Sequence, residues 1–144
     1  MLGPNGAGKT STLECIEGLR KADLGDISVA GLDPLKDGRK LRKVLGVQLQ
    51  TSALPDNVLV KEAMALVSAW LNVQYRHDLM ESFSLNSFKD KEYGTLSTGQ
   101  KRRLQLALCL VGNPKVVILD EPTAGVDVQG RAALHKAFPL PWDR

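Results

Sequence analysis

The 144-residue sequence predicts an α/β fold: a mainly parallel sheet core with a block of helices inserted into it. Three observations carry that prediction. A glycine-rich turn, Gly3 to Gly8, runs straight into a helical pattern. Two short apolar runs, Val44–Gln50 and Val116–Leu119, read as strands. Between them, from Pro55 to Val111, most of the chain carries helical spacing, which is what a parallel crossover requires.

Composition agrees with a single globular domain. Hydrophobic residues make up 43% and charged residues 24%, proportions that can bury a core at this length. The net charge of +3 is small and scattered, and aromatics are only 5%, so neither a nucleic-acid footprint nor a base-stacking surface is expected. The densest apolar runs, Ala63–Val67 and Leu106–Val111, fall far short of the ~18 residues of a membrane span. MLGPNGAGKT at the start lacks the basic and apolar regions of a signal peptide. Cys15 and Cys109 have no CxxC or Cys/His company and read as reduced, buried thiols. A secreted, disulfide-built or integral membrane protein is therefore not expected.

The elements follow in order. Lys9–Leu19 is a predicted helix, with Leu13, Ile16 and Leu19 at helical spacing. Leu24-Gly25-Asp26 is a turn, and Ile27–Ala30 a short strand ended by Gly31. Asp33-Pro34 starts a short helix through Arg42, with proline in its first turn. Val44–Gln50 follows as a strand. From Pro55 to about Asn86 the pattern is helical, with Met64, Leu66, Val67, Trp70 and Leu71 as its apolar face. Ser87–Thr95 is polar and loop-like. Ser97–Val111 is a helix with a capping box, Ser97 at the cap and Gln100 three residues on. Val116–Leu119 is a strand, and a loop from Asp120 leads to a helix near Val128–Phe138. Met64, Met80 and Trp70 are core candidates, Lys101-Arg102-Arg103 one solvated helix face, and His77 and His135 isolated surface residues.

The chemistry begins at Gly3-Pro4-Asn5-Gly6-Ala7-Gly8-Lys9-Thr10, which matches the phosphate-binding pattern GxxxxGK[ST]. Glycines allow successive N–H groups to converge on one anion, and the following helix points its positive end there. Lys9 supplies a charge for the β- and γ-phosphates, and the Thr10 hydroxyl suits Mg²⁺. Such a turn predicts a P-loop NTPase core. Val116-Val-Ile-Leu-Asp120-Glu121 is an apolar strand ending in two acids, at the strand end where open α/β sheets bind ligands. Asp120 is the candidate metal residue and Glu121 the candidate general base for an attacking water. Leu96-Ser97-Thr98-Gly99-Gln100 adds a helix start with free N–H groups.

Taken in order, GPNGAGKT, Gln50, LSTGQ, VVILDEP and AGVD resemble the nucleotide-binding domain of ABC ATPases, over about Leu2 to Arg131. LSTGQ resembles the family's LSGGQ signature with Thr98 for the first glycine, expected to be tolerated because Ser97 and Gly99 are intact. Gln50 matches the Q-loop glutamine and Asp127 the D-loop aspartate. The stretches VLGVQLQTSALPDNVLVKEAMAL and QKRRLQLALCLVGNP resemble the drug-export and ABC-2-type branch.

The resemblance implies a single ABC ATPase domain over 1–138. It divides into a P-loop part (1–53), a helical subdomain with the signature (54–112) and a Walker B and D-loop part (113–138), followed by an atypical tail (139–144). It implies ATP and Mg²⁺ as cofactors and a head-to-tail dimer with a second ABC ATPase domain. Gly3–Thr10 would hold the phosphates, and Ser97, Gly99 and Gln100 would meet the γ-phosphate of the partner's ATP. Gln50 would sense Mg²⁺ and water, serve catalysis with Glu121, and report to a transmembrane permease; Asp127 would reach across the dimer. Thr10, Gln50 and Asp120 form the expected metal set. The implied function is the ATP-binding subunit of an exporter, cytoplasmic and peripheral at the inner face of the cell membrane, without nucleic acid. The alternatives are a soluble ABC ATPase acting on ribosomes or DNA, and an inactive nucleotide-binding remnant. The family's upstream strands with an adenine-stacking aromatic, and its downstream strand ending in a switch histidine, have no counterpart here. An incomplete core is therefore expected, from a gene fragment or frameshift or else a natural truncation, with feeble or no ATP hydrolysis by the chain alone.

Overall fold

A computed structural model of the chain describes residues 9–48 and 54–119. The elements run α1 (Lys9–Ile16), α2 (Gly38–Val44), β1 (Leu45–Gln48), α3 (Val60–Trp70), α4 (His77–Ser82), two 3₁₀ turns (Leu85–Phe88 and Tyr93–Thr95), α5 (Thr98–Leu110) and β2 (Val116–Leu119). β1 and β2 are neighbours in the sheet although the whole helical block lies between them in sequence. The chain divides into two compact units, one of residues 1–46 and 113–118, the other of 47–112 and 119–144.

In the first unit, α1 stops at Ile16 and not at the predicted Leu19. The reason is local. Gly18 adopts φ +75°, its N–H donates to the Cys15 carbonyl (3.2 Å), and the Leu19 N–H donates to Glu14 (2.9 Å). That pair of bonds is a Schellman motif, which closes the helix. The predicted strand Ile27–Ala30 shrinks to one antiparallel bridge, Val29 with Leu32. Ala30 (φ 52°) and Gly31 (φ 81°) form the two-residue turn between them, the backbone a type I′ hairpin needs. The helix expected from Asp33-Pro34 begins later, at Gly38. The Asp33 carboxylate captures the N–H groups of Leu35 (2.9 Å) and Lys36 (3.2 Å), and this turn competes with helix. Those donors, with Lys36 beside them, hold the Asp33 carboxyl below its usual range. Leu41 is buried on α2, and the Lys115 N–H donates to the Val44 carbonyl (2.8 Å) just ahead of the two strands.

The second unit is the helical block. The predicted continuous helical stretch breaks after Trp70, where Asn72 (φ 54°) ends α3 by the same device: Asn72 N–H to Ala69 (3.0 Å) and Val73 N–H to Ser68 (2.9 Å). Val60, Ala63, Met64, Met80, Phe83, Leu85, Phe88, Leu104, Leu106, Ala107 and Leu110 build its core. The inward face of α3 is thus Val60, Ala63, Met64 and Ser68; of the predicted apolar face only Met64 is fully buried. Leu66 and Trp70 are 65% and 68% exposed, so Trp70 is no core residue. In VKEAMALVSAW apolar residues occur on every side, so periodicity alone sets the phase poorly. Ser68 is tolerated inside because its hydroxyl donates to the Met64 carbonyl (2.7 Å). The predicted loop Ser87–Thr95 contains most of the two 3₁₀ turns, which bury Phe88 and Tyr93.

Candidate functional site

Among the described residues, the best-defined part of the predicted site is the start of α5. Ser97 stands at the cap in extended backbone, and its Oγ accepts the Gln100 N–H (3.2 Å). Gln100 Oε1 in turn accepts the Ser97 N–H (3.0 Å), so the predicted capping box is present. Ser97 and Thr98 are exposed, and Gly99 and Gln100 half-buried. No acidic residue occupies the first turn, so the helix end keeps its positive character toward an incoming anion. The geometry thus brings Ser97, Thr98, Gly99 and Gln100 together in one turn. It also commits the Gln100 side-chain oxygen to the cap.

The basic run after this turn is not one solvated face. The Lys101 ammonium sits 4.8 Å from the Tyr93 ring centre, and the Arg103 guanidinium 5.1 Å from that of Phe88. Arg103 is only 8% exposed. α5 packs against the 3₁₀ turns, and their aromatic faces take up the cations. Gln105 adds a hydrogen bond from Nε2 to the Tyr93 hydroxyl (3.0 Å). At its far end α5 is tied by Arg76, which donates from Nη1 to the carbonyls of Leu110 (3.3 Å) and Val111 (3.1 Å). The same guanidinium grips both carboxylate oxygens of Asp78 at 2.8 and 2.7 Å. That fork holds the Asp78 carboxyl below its ordinary range and raises Arg76.

The phosphate-turn residues Gly3, Pro4, Asn5, Gly6, Ala7 and Gly8 lie outside the described residues, as do Gln50, Asp120, Glu121 and Asp127. So do the helix expected near Val128–Phe138 and the tail. Lys9 and Thr10 open α1, whose first turn carries no acid; their side chains are outside the description. β1 is described to Gln48, two residues before Gln50, and β2 ends at Leu119, the residue before Asp120. The donor types of Thr10, Gln50 and Asp120 are all oxygen, which suits a hard cation such as Mg²⁺. Among the described residues there is no group of three metal-ligating side chains, and no helix long and apolar enough to cross a membrane.

Gln48 is a residue that sequence reasoning passed over. It is 1% exposed, and among the described residues neither polar atom of its carboxamide has a partner. A polar side chain inside an apolar strand run was the available signal. Next to it, the Cys109 thiol donates to the Val47 carbonyl (3.0 Å), joining α5 to β1, and burial pushes that thiol up to about 12.

The family model described as "ABC transporter" matches residues 1–124. The chain is 40% identical over 140 residues to the "Probable multidrug ABC transporter ATP-binding protein YbhF" of Escherichia coli K12, covering 93% of this chain and 24% of that protein. It is 39% identical over 137 residues to the "Nod factor export ATP-binding protein I" of Burkholderia orbicola, covering 91% and 45%. It is 39% identical over 142 residues to the mouse "Glucosylceramide transporter ABCA12", covering 93% and 6%. The chain thus spans less than half the length of these relatives. The solved "Structure of ATP binding subunit of ABC transporter" superposes with a TM-score of 0.84 at 24% identity, over 94% of this chain and 59% of that one, and supports the P-loop α/β fold. With the family match spanning most of the chain, and the capped signature turn and strand-end acids in their expected order, this chain belongs to the ABC transporter family.

Proposed function

We propose that the chain is the nucleotide-binding part of an ABC exporter, binding and hydrolysing ATP to power transport through a separate membrane permease. The observation that carries the reading is the α5 start: an exposed, box-capped helix end of sequence LSTGQ with no acid in its first turn. Gly3–Gly8 and Lys9 bind the phosphates in cis, and Ser97, Gly99 and Gln100 add donors to the nucleotide of a second ABC domain paired head to tail. Donors that engage only in the closed pair stabilise that state over the open one, which is how binding drives motion. Thr10, Gln50 and Asp120 hold Mg²⁺, which when bound neutralises charge on the phosphates. Glu121 orients and deprotonates the attacking water, Gln50 senses it, and Asp127 reaches across the dimer. The domain works at the cytoplasmic face of the membrane. The naming of one relative as a Nod factor export ATP-binding protein, beside another named as a probable multidrug ABC transporter ATP-binding protein, supports export over other uses of the fold.

The test separates binding from chemistry. In a reconstituted transporter carrying this domain, Glu121→Gln is expected to keep MgATP affinity within about twofold while lowering turnover by about 10² or more. Turnover that survives Glu121→Gln contradicts the assignment of the base.

A further inference from the structure

α5 is tied down at its far end by one side chain. A helix leaves the carbonyls of its last turn without partners inside itself, and partial negative charge collects there. The last turn of α5 carries no basic residue of its own. Arg76, the residue ahead of α4, supplies what is missing. Its Nη1 donates to the carbonyl of Leu110, the last residue of α5 (3.3 Å), and to that of Val111, which caps it (3.1 Å). The rest of the guanidinium is held from the other side: Nε and Nη2 donate to the two oxygens of Asp78 at 2.8 and 2.7 Å. Asp78 lies in the first turn of α4, whose Leu79 and Met80 are buried.

This geometry makes Arg76 a joint and not merely a cap. A two-pronged grip on a carboxylate fixes the plane of the guanidinium, so Nη1 keeps its aim at α5. Val111 is 1% exposed, and a Cβ on Gly112 would lie 3.1 Å from Leu71 Cδ1, so the end of α3 closes on the same point. Nearer the cap, Lys101 and Arg103 rest on the faces of Tyr93 and Phe88. Attraction to a ring face tolerates lateral shift, whereas the bonds from Arg76 are directed. Between its ends α5 runs 13 residues without a break. That is a rod about 20 Å long, and a tilt of about 5° about one end moves the other by about 2 Å. The far end of α5 thus sets where its start stands.

We infer that Arg76 is a positioning residue: it sets the tilt of α5 and with it the placing of Ser97–Gln100, a role that rests on the proposed contact of that turn with a partner domain's nucleotide. Displacing such donors by about 1 Å costs up to about 10² in rate. A lysine at 76 would keep a charge at the helix end. One ammonium cannot, however, reproduce a planar fork that meets a carboxylate and two carbonyls at once. Charge and geometry are therefore separable by experiment.

The parent, Arg76→Lys and Asp78→Ala test it in two ways. Residual dipolar couplings of the backbone amides of the full chain give the angle between α3 and α5. Arg76→Lys is expected to change that angle by about 5° or more while each helix keeps its own internal couplings. Asp78→Ala frees the guanidinium but leaves the helix-end bonds. It should shift the angle by less, and it decides alone if Arg76→Lys does not fold. In a reconstituted transporter carrying this domain, Arg76→Lys should lower kcat by about tenfold or more and Asp78→Ala by about threefold, counted per site that binds MgATP, with KM within about twofold. Loss of folded protein does not lower turnover per binding site, and damage to the phosphate site would raise KM. An angle unchanged in the variants, or a changed angle with kcat per site equal to the parent's, overturns the inference. So does a fall in kcat matched by a rise in KM. Ser97→Ala is the control for the site. A transporter whose turnover is indifferent to it overturns the nucleotide role of the turn and the positioning role with it, whereas the angle still decides whether Arg76 sets α5.

Discussion

Gly18 and Gln48 show how single residues set the limits of this fold. At Gly18 the backbone is left-handed (φ +75°), and a Cβ would stand 2.3 Å from the Pro34 carbonyl oxygen. Both the conformation and the contact demand glycine. Gly18→Ala is expected to destabilise the chain by about 2 kcal/mol or more in urea unfolding; a loss below about 0.5 kcal/mol would contradict the contact. Gln48 is the opposite case. Its buried carboxamide lacks partners among the described residues, and an unmet buried polar group costs about 1–3 kcal/mol. Gln48→Leu is therefore expected to raise the unfolding free energy by about 1 kcal/mol. A clear loss of stability would mean that the carboxamide is satisfied from outside the described residues.

At the scale of elements, local chemistry decided which predictions held. α5 and β2 were readable because their signals are short-range: Ser97 and Gln100 close a box three residues apart, and Val116–Leu119 is an apolar run bounded by Pro114-Lys115 and Asp120. α3 was readable as a helix but not in its rotation, since packing against α5 and not its own periodicity selects Met64 over Leu66. The start of α2 was misplaced because Asp33 spends its carboxylate on Leu35 and Lys36, a competition that proline in a first turn does not reveal. The same carboxylates make stability pH-dependent. Asp33 is lowered chiefly by the Leu35 N–H, Asp78 by Arg76 and Asp90 by Lys61. A carboxyl lowered on folding contributes stability that is present above its unfolded value of about 4 and is lost as pH falls through the folded one. Unfolding midpoints are thus expected to hold from pH 7 to about 5 and to fall below about 4. A midpoint that rises on acidification through that window would contradict these pairings.

For the molecule as a whole, the order of motifs carries more than any one of them. GPNGAGKT, Gln50, LSTGQ, Asp120-Glu121 and Asp127 are spread from Gly3 to Asp127, and their sequence order alone pointed to the family. The structure adds what order cannot supply: LSTGQ is a true helix cap, the cations after it lean on aromatic faces, and main-chain bonds join Tyr93 and Gly94, just ahead of it, to Val58 and Asp56. We propose that this chain binds nucleotide through Gly3–Thr10. Calorimetric titration of the parent chain and of Lys9→Ala with MgATP decides it. Saturable, Mg²⁺-dependent binding that Lys9→Ala weakens by about tenfold or more is expected. No binding by the folded parent, or equal binding by Lys9→Ala, would contradict it.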